Sequence, residues 1–312
     1  VTTPFAITTD FDGTTRDAAT PDIGADEIES ELFAIFGERS VPSTDYPDLQ
    51  TVADSLNLHG VGTGGVSFMI QGGSSFEEAP LVFNATGTQD NPVYIGWDGQ
   101  GQKPTVVING TANDGDAGIS LVGVDYYTID GIEISNPGSN LEVGIRIANA
   151  SGEDGAHHNT IKNTDIALDK LNEFQTVGIL VTAEHTATEA DGNNNHNKFY
   201  NNRISNATMG YNFDGATNNT PLMAVGNEVG TEDDGVSEIT DIVIAGVLAK
   251  DQNGFVIKNT RIYDLTRLGD GNTAPAGIST SSGNPTEDLD HPFIIENNTI
   301  EDFTSATTSI YG

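Results

Sequence analysis

Cysteine is absent from the 312 residues, so disulfides, thiolate metal sites and cysteine nucleophiles are all excluded. Positive charge is scarce as well. Twelve Lys and Arg stand against 46 Asp and Glu, a formal net charge of -34. Such a field repels phosphate backbones and anionic lipid, which argues against nucleic-acid and membrane-surface partners. It suits divalent cations, a salty medium, or a solvated surface that resists aggregation. Tryptophan occurs once, proline 12 times, and no run approaches the roughly 18 apolar residues of a membrane span. The opening residues do not read as a signal peptide, and the chain begins at Val1 rather than Met, which predicts a processed chain or a piece of a longer one.

What is abundant points to short strands and turns. Glycine reaches 36 residues, and Asn and Thr recur in short apolar-flanked runs. One amphipathic helix stands out in DLQTVADSLNLHG: Leu49, Val52, Ala53 and Leu56 fall on one helical face, Asp48 can cap the start and Gly60 the end. Strand-length runs follow at 66–70, 80–83, 93–97 and 105–108.

From residue 118 the chain repeats itself. IDGIEI (129–134), IKNTDI (161–166), FYNNRI (199–204), IKNTRI (257–262) and IENNTI (295–300) share one template, with Asn or Gly two places after the opening apolar residue and Ile five places after it. Between them recur glycine-led strands: GISL at 118, GIRI at 144, GILV at 178, GYNF at 210, GVL at 246 and GIS at 277. The openings lie 32, 38, 58 and 38 residues apart, and the 58-residue gap leaves room for one degenerate turn around AVGNEVG and ITDIVIAGV. Constant strands with variable spacing predict a coil of stacked parallel strands with insertions at its loops. A Greek-key sandwich does not require one motif to recur at matching positions. In the coil, Asn163, Asn201, Asn259 and Asn297 fall at one bend, where their amides can form a structural ladder without any catalytic role. The helix over 49–58 is placed to cover the N-terminal end of the stack.

DYPDLQTVADSL, GGVSFMIQGGSSFEE and GTQDNPVYIGW, followed by the I-x-N-x-x-I turns, resemble the right-handed parallel β-helix proteins of the pectin-lyase-like superfamily, above all long secreted surface proteins of Bacteroidota. The resemblance implies an all-β, right-handed parallel β-helix with an N-terminal capping helix over 45–312, truncated at its C-terminal end. The opening stretch resembles the close of such a domain. Asp10, Asp12, Gly13 and Arg16 match D-x-D-G-x-x-R, and Asp22, Ile23, Gly24, Ala25 and Glu27 match D-I-G-A-x-E. Residues 1–31 are therefore expected to close a preceding repeat domain, with 32–44 as linker. Members of this kind use the type IX secretion route and include adhesins, some carried in gliding motility. The expectation is a non-enzymatic, extracellular stalk or adhesive segment, contacting glycans or solid surfaces, neighbouring repeat domains and secretion or anchoring machinery. The alternative is a polysaccharide lyase or glycoside hydrolase acting on acidic polysaccharide.

Candidate chemistry is sparse. Asn163-Thr164-Asp165 echoes one hydrolase motif but lies inside the strand template, and no catalytic residue is assigned. Lys162, Arg203, Lys258 and Arg261 sit on or beside strands, at positions that solvated basic residues would occupy anyway. Calcium is the cofactor considered, with oxygen donors Asn113, Asp114 and Asp116 in one glycine turn and Glu232, Asp233 and Asp234 in another; Asp10, Asp12 and Asp17 form a third cluster. Ordinary turns with local Asx hydrogen bonds are the favoured account of each cluster over a metal site. His158 and His196 each stand three residues before a template opening, which predicts that they stack in adjacent turns as a solvated pair. For sugar contact the aromatic candidates are Trp97, Tyr126 and Tyr127, of which the adjacent tyrosines must face opposite sides of a regular strand. The long loops 184–196, 214–237 and 268–291 are where a ligand face is expected.

Overall fold

A computed structural model describes residues 9, 34–111, 115–136, 138, 140–215, 222–230, 235–267, 275–281 and 292–305. Over them the chain is a right-handed parallel β-helix with three faces. Face one stacks Ile35–Val41, Val61–Ile70, Val93–Trp97, Tyr127–Asp130, Thr160–Lys162, Lys198–Tyr200, Glu228–Val229, Val256–Lys258 and Ile294–Glu296, every pairing parallel. Face two begins with Ser75–Glu78 and Thr105–Ile108, and face three with Leu81–Phe83 and Ala117–Val122. In two turns a single long strand, Arg203–Asp214 or Ser237–Lys250, bends to serve both faces. The second of these is the degenerate turn expected in the 58-residue gap. Within the expected linker 32–44, residues 35–41 form the first strand, whose end residues Ile35 and Val41 are buried opposite Val61 and Ile70. The closing segment expected at 1–31 lies, apart from Thr9, outside the described residues.

The template and the glycine strands are two sides of one contact. Ile134, Ile166, Ile204, Ile239 and Ile262 stack in register on face two, each 0 or 1% exposed. The glycines stack on face three. A Cβ at Gly144 would come within 2.6 Å of Ile166 Cγ2, one at Gly178 within 2.4 Å of Ile204 Cγ2, and ones at Gly210 and Gly246 within 2.6 Å of Ile239 and Ile262. The closing isoleucine of each following turn thus fills the space that a side chain on the glycine would need. Phe199, Tyr211, Phe213, Phe255 and Phe293 add an aromatic run along the core, with successive centroids 4.8 to 6.2 Å apart.

Corners are set by residues in the left-handed region. Between faces one and two stand Asn163, Asn201, Asn259 and Asn297 at φ 47 to 54°, as suits asparagine. Asn201 Nδ2 donates to Asn163 Oδ1 at 2.8 Å, and Asn163 Nδ2 to Asp130 at 2.6 Å. A second, interior ladder lies just before face one. Asn159, Asn197 and Asn227 are wholly buried; Asn159 N–H donates to Asn197 Oδ1 at 3.0 Å and Asn197 N–H to Asn227 Oδ1 at 2.9 Å.

The helix Leu49–His59 covers the first turn, with Leu49, Val52, Ala53 and Leu56 buried. Asp48 accepts from Thr51 N–H at 2.8 Å, and the buried Glu78 carboxylate accepts from Leu49 N–H at 2.9 Å. No helix among the described residues is long and apolar enough to cross a membrane.

Candidate functional site

The corner between faces three and one differs from the others. Its left-handed positions carry rings: Tyr126, His158 and His196, at φ 55, 56 and 57°. Successive turns bring these rings face to face, with Tyr126 and His158 centroids 4.8 Å apart and His158 and His196 5.0 Å apart, at interplanar angles of 18 and 10°. The imidazole stack expected from the sequence is present and is extended by a tyrosine. It ends at Gly226, where a Cβ would stand 2.4 Å from the His196 ring. Because the faces are used against each other, the column presents its polar edges outward.

Beside this column runs a groove of about 520 Å³ lined by Asp125, Glu153, Asp154, Asp191, His157 and Asn195 together with the three rings. Asp125, His157 and Asn195 immediately precede the stacked residues and so occupy equivalent places on three rungs. Asp125 Oδ1 accepts from His157 N–H at 2.7 Å and lies 3.1 Å from its Nδ1. Burial disfavours the charged imidazole, yet the Asp125 hydrogen bond and charge, the Asn193 carbonyl dipole and Asp191 outweigh it, and the His157 pKa is raised. His157 Nε2 is buried and makes no hydrogen bond.

Backbone contacts hold the carboxylates in place. Ala150 N–H donates to the Asp154 carbonyl at 2.8 Å, and Gly155 N–H to the Asp191 carbonyl at 2.6 Å. A Cβ at Gly155 would stand 1.9 Å from the Asn193 carbonyl, and one at Gly192 1.9 Å from that of Gly152, so only glycine lets these loops touch. The buried Asn149 ties them together through His185 O at 2.7 Å and Gly192 O at 3.0 Å. Asp154 Oδ2 lies where a Cβ on Gly123 would meet it at 3.1 Å. Desolvation and the charge of Asp125 raise the Asp154 pKa against the opposing pull of His157; the group is exposed, so water screens the effect. The groove therefore holds several carboxyl groups, among them Asp154 with its raised pKa, beside an oriented imidazole, a set of residue types able to donate and accept protons.

The sequence candidates fall in several places. Of the three aromatics only Tyr126 reaches the groove. Tyr127 is 0% exposed, donates to Ala85 O at 2.6 Å and belongs to the core, which removes it as a ligand contact. Trp97 stands apart, half-buried, its indole N–H donating to Gln100 O at 3.0 Å. Lys162, Arg203, Lys258 and Arg261 pair with Asp130, Glu238, Glu296 and Glu301 on adjacent rungs. Asp165 pairs with Lys103 at 2.9 Å, and Thr164 is buried, so that motif is structural here. Asn113, Asp114, Glu232, Asp233 and Asp234, with Asp10, Asp12 and Asp17, lie outside the described residues. Asp116 accepts from Thr111 N–H and donates its own N–H to Glu142 at 3.0 Å. No group of three His, Asp or Glu able to hold a metal occurs among the described residues. The sequence reading missed Asp125, Glu153, Asp154, His157 and Asp191; aligning the turns on Tyr126, His158 and His196 would have put Asp125 and His157 on neighbouring rungs.

No family model matches the sequence, and no curated protein matches it. Among solved structures, a rhamnogalacturonan lyase superposes with a TM-score of 0.55 at 11% identity, covering 84% of this chain and 66% of that one. The two share a fold. A GH136 lacto-N-biosidase from Eubacterium ramulus aligns at 14% identity over 85% of this chain and 68% of its own, with a TM-score of 0.45. An alginate lyase from a Paenibacillus species aligns at 12% identity over 84% of this chain and 98% of its own, at 0.28. At 11% identity the likeness to the rhamnogalacturonan lyase concerns the fold alone, and function must be argued from the groove.

Proposed function

We propose that the protein is an extracellular carbohydrate-acting β-helix whose working site is the corner groove, and that its chemistry is hydrolysis of a glycosidic bond. The observation that carries this reading is the gathering of Asp154, Asp191, Glu153 and the Asp125–His157 pair along one row of outward ring edges. Asp154, with its raised proton affinity, protonates the leaving glycosidic oxygen. Asp191 takes the proton from the attacking water, whose oxygen forms the new bond to the anomeric carbon as the old C–O bond breaks. Asp125 holds the His157 ring and its charge beside them. Elimination fits less well, because no Lys or Arg among the described residues lines the groove to neutralise a uronate.

The test is release of reducing ends from a panel of neutral, amino-sugar and uronate oligosaccharides. Asp154→Asn should lower the rate by about 10²-fold or more with unchanged thermal stability. Hydrolysis unaffected by that substitution refutes the assignment. Retention of a glycan without cleavage would instead favour the adhesive-segment reading, which the strongly acidic surface supports.

A further inference from the structure

We infer that the groove selects glycans carrying free amino groups, that is, chains of de-N-acetylated amino sugars. The inference rests on the reading that the groove binds a glycan, and it names which glycan charge fits. Four carboxylates line the groove, and one of them, Asp125, is matched by His157. Among the described residues, ion pairs join Lys103–Asp165, Arg146–Glu184, Lys162–Asp130, Lys170–Asp241, Arg203–Glu238, Lys250–Asp214, Lys258–Glu296 and Arg261–Glu301, none of them in the groove. Glu153, Asp154 and Asp191 are exposed, and among the described residues no Lys or Arg lines the groove beside them. A uronate would meet like charge there, within an overall field of -34. An ammonium group on the sugar ring supplies the missing counter-charge at short range, while ring hydroxyls meet the Tyr126, His158 and His196 edges that recur every 4.8 to 5.0 Å.

Binding of the protein to chitosan hexamer, its N-acetylated counterpart, cellohexaose and hexagalacturonate, followed by calorimetry, tests this. The amine-bearing hexamer should bind about tenfold tighter than the N-acetylated one and lose most of that advantage between about 50 and about 500 mM salt. Glu153→Gln should weaken the chitosan hexamer several-fold and the N-acetylated hexamer far less. Glu77→Gln, an exposed carboxylate outside the groove, should change neither. Equal binding of the acetylated chain, tighter binding of the uronate, or an equal effect of Glu77→Gln overturns the charge selection and leaves the groove as a glycan site. Failure of all four oligosaccharides to bind overturns both.

Discussion

Replacing Asn197 with Ala tests whether the interior asparagine ladder holds the coil together. Asn197 is 0% exposed; its Oδ1 accepts from Asn159 N–H at 3.0 Å and from Asn159 Nδ2 at 3.1 Å, and its Nδ2 donates to Ala156 O at 2.9 Å. Asn159 Nδ2 keeps a second acceptor in Val124 O at 2.8 Å, so truncation strands two groups, the Asn159 amide and the Ala156 carbonyl. Each buried group left without a partner costs about 1 to 3 kcal/mol, which gives a loss of about 2 to 6 kcal/mol. At about 2 to 4 °C per kcal/mol for a large domain, the melting temperature should fall by at least about 4 °C. A water entering the vacated space would soften the loss, so Asn197→Leu, which fills that space with carbon, should cost at least as much. The contrast is Asn201→Gly in the outer ladder. Asn201 is half-buried at φ 50°, a conformation that glycine adopts freely, and it donates one side-chain bond; its loss should stay near about 1 kcal/mol. Calorimetric melting and denaturant titration read both. Equal costs for Asn197→Ala and Asn201→Gly, or a cost under about 1 kcal/mol for Asn197→Leu, would refute the reasoning.

Three further outcomes follow from particular contacts. Gly178→Ala places a methyl 2.4 Å from Ile204 Cγ2 and 2.8 Å from the Gly210 carbonyl, so it should cost about 1 to 3 kcal/mol in denaturant titration; an unchanged midpoint would deny that the isoleucine column excludes a side chain. His157 has a raised folded pKa, so its contribution is fully present below the ordinary imidazole value and is lost as pH rises through the folded value. The stability gap between wild type and His157→Gln should therefore narrow from acid to alkaline pH, and a flat gap contradicts the Asp125 pairing. Burial raises the Glu78 pKa despite its hydrogen bond from Leu49, so wild type loses stability as pH climbs through that value. Glu78→Gln keeps an acceptor without the charge and should match or exceed wild type at neutral pH, with the comparison shifting toward wild type in acid; destabilisation equal at both pH values would refute this.

What the sequence could show depended on periodicity. The I-x-N-x-x-I units and the glycine strands carry the fold because each recurs at a place where stacking repeats the same contact. That the isoleucine of the next turn dictates the glycine is invisible in one dimension, since residues such as Gly178 and Ile204 lie on different strands. The outer Asn163–Asn201 bond could be anticipated from the template, whereas the inner ladder hides in the residue after each stacked histidine, Asn159 and Asn197. The ring pair His158 and His196 was legible from its constant distance to the strand opening. The groove itself was not. Glu153, Asp154 and Asp191 come from loops whose lengths differ between turns, and what brings them together is the close approach at Gly152, Gly155 and Gly192 with the hydrogen bonds of Asn149. The strand at 35–41, inside the expected linker 32–44, is hidden for a related reason: a lone strand preceding the capping helix has no repeated neighbour in sequence to mark it.

The ring column is where the coil departs from its own rules, as the proposed ligand groove would require. Left-handed corners elsewhere in the molecule are filled by Asn, Asp or Gly, which adopt that conformation at little cost. At the corner of faces three and one, the two turns after His196 return to Gly226 and Gly254, at φ 69 and 74°, so the backbone bend has no need of a ring. Tyr126, His158 and His196 hold the same conformation at a cost of order 1 to 2 kcal/mol each. Mutual stacking offsets part of that cost, but His158 and His196 stay exposed and none of the three rings belongs to the buried core cluster. The three ring-bearing turns are also those that supply Asp125, Glu153, Asp154, His157 and Asp191. Strained conformations and clustered carboxylates thus coincide over the same three rungs and cease together at Gly226, as expected if one ligand, lying along the coil axis, accounts for both.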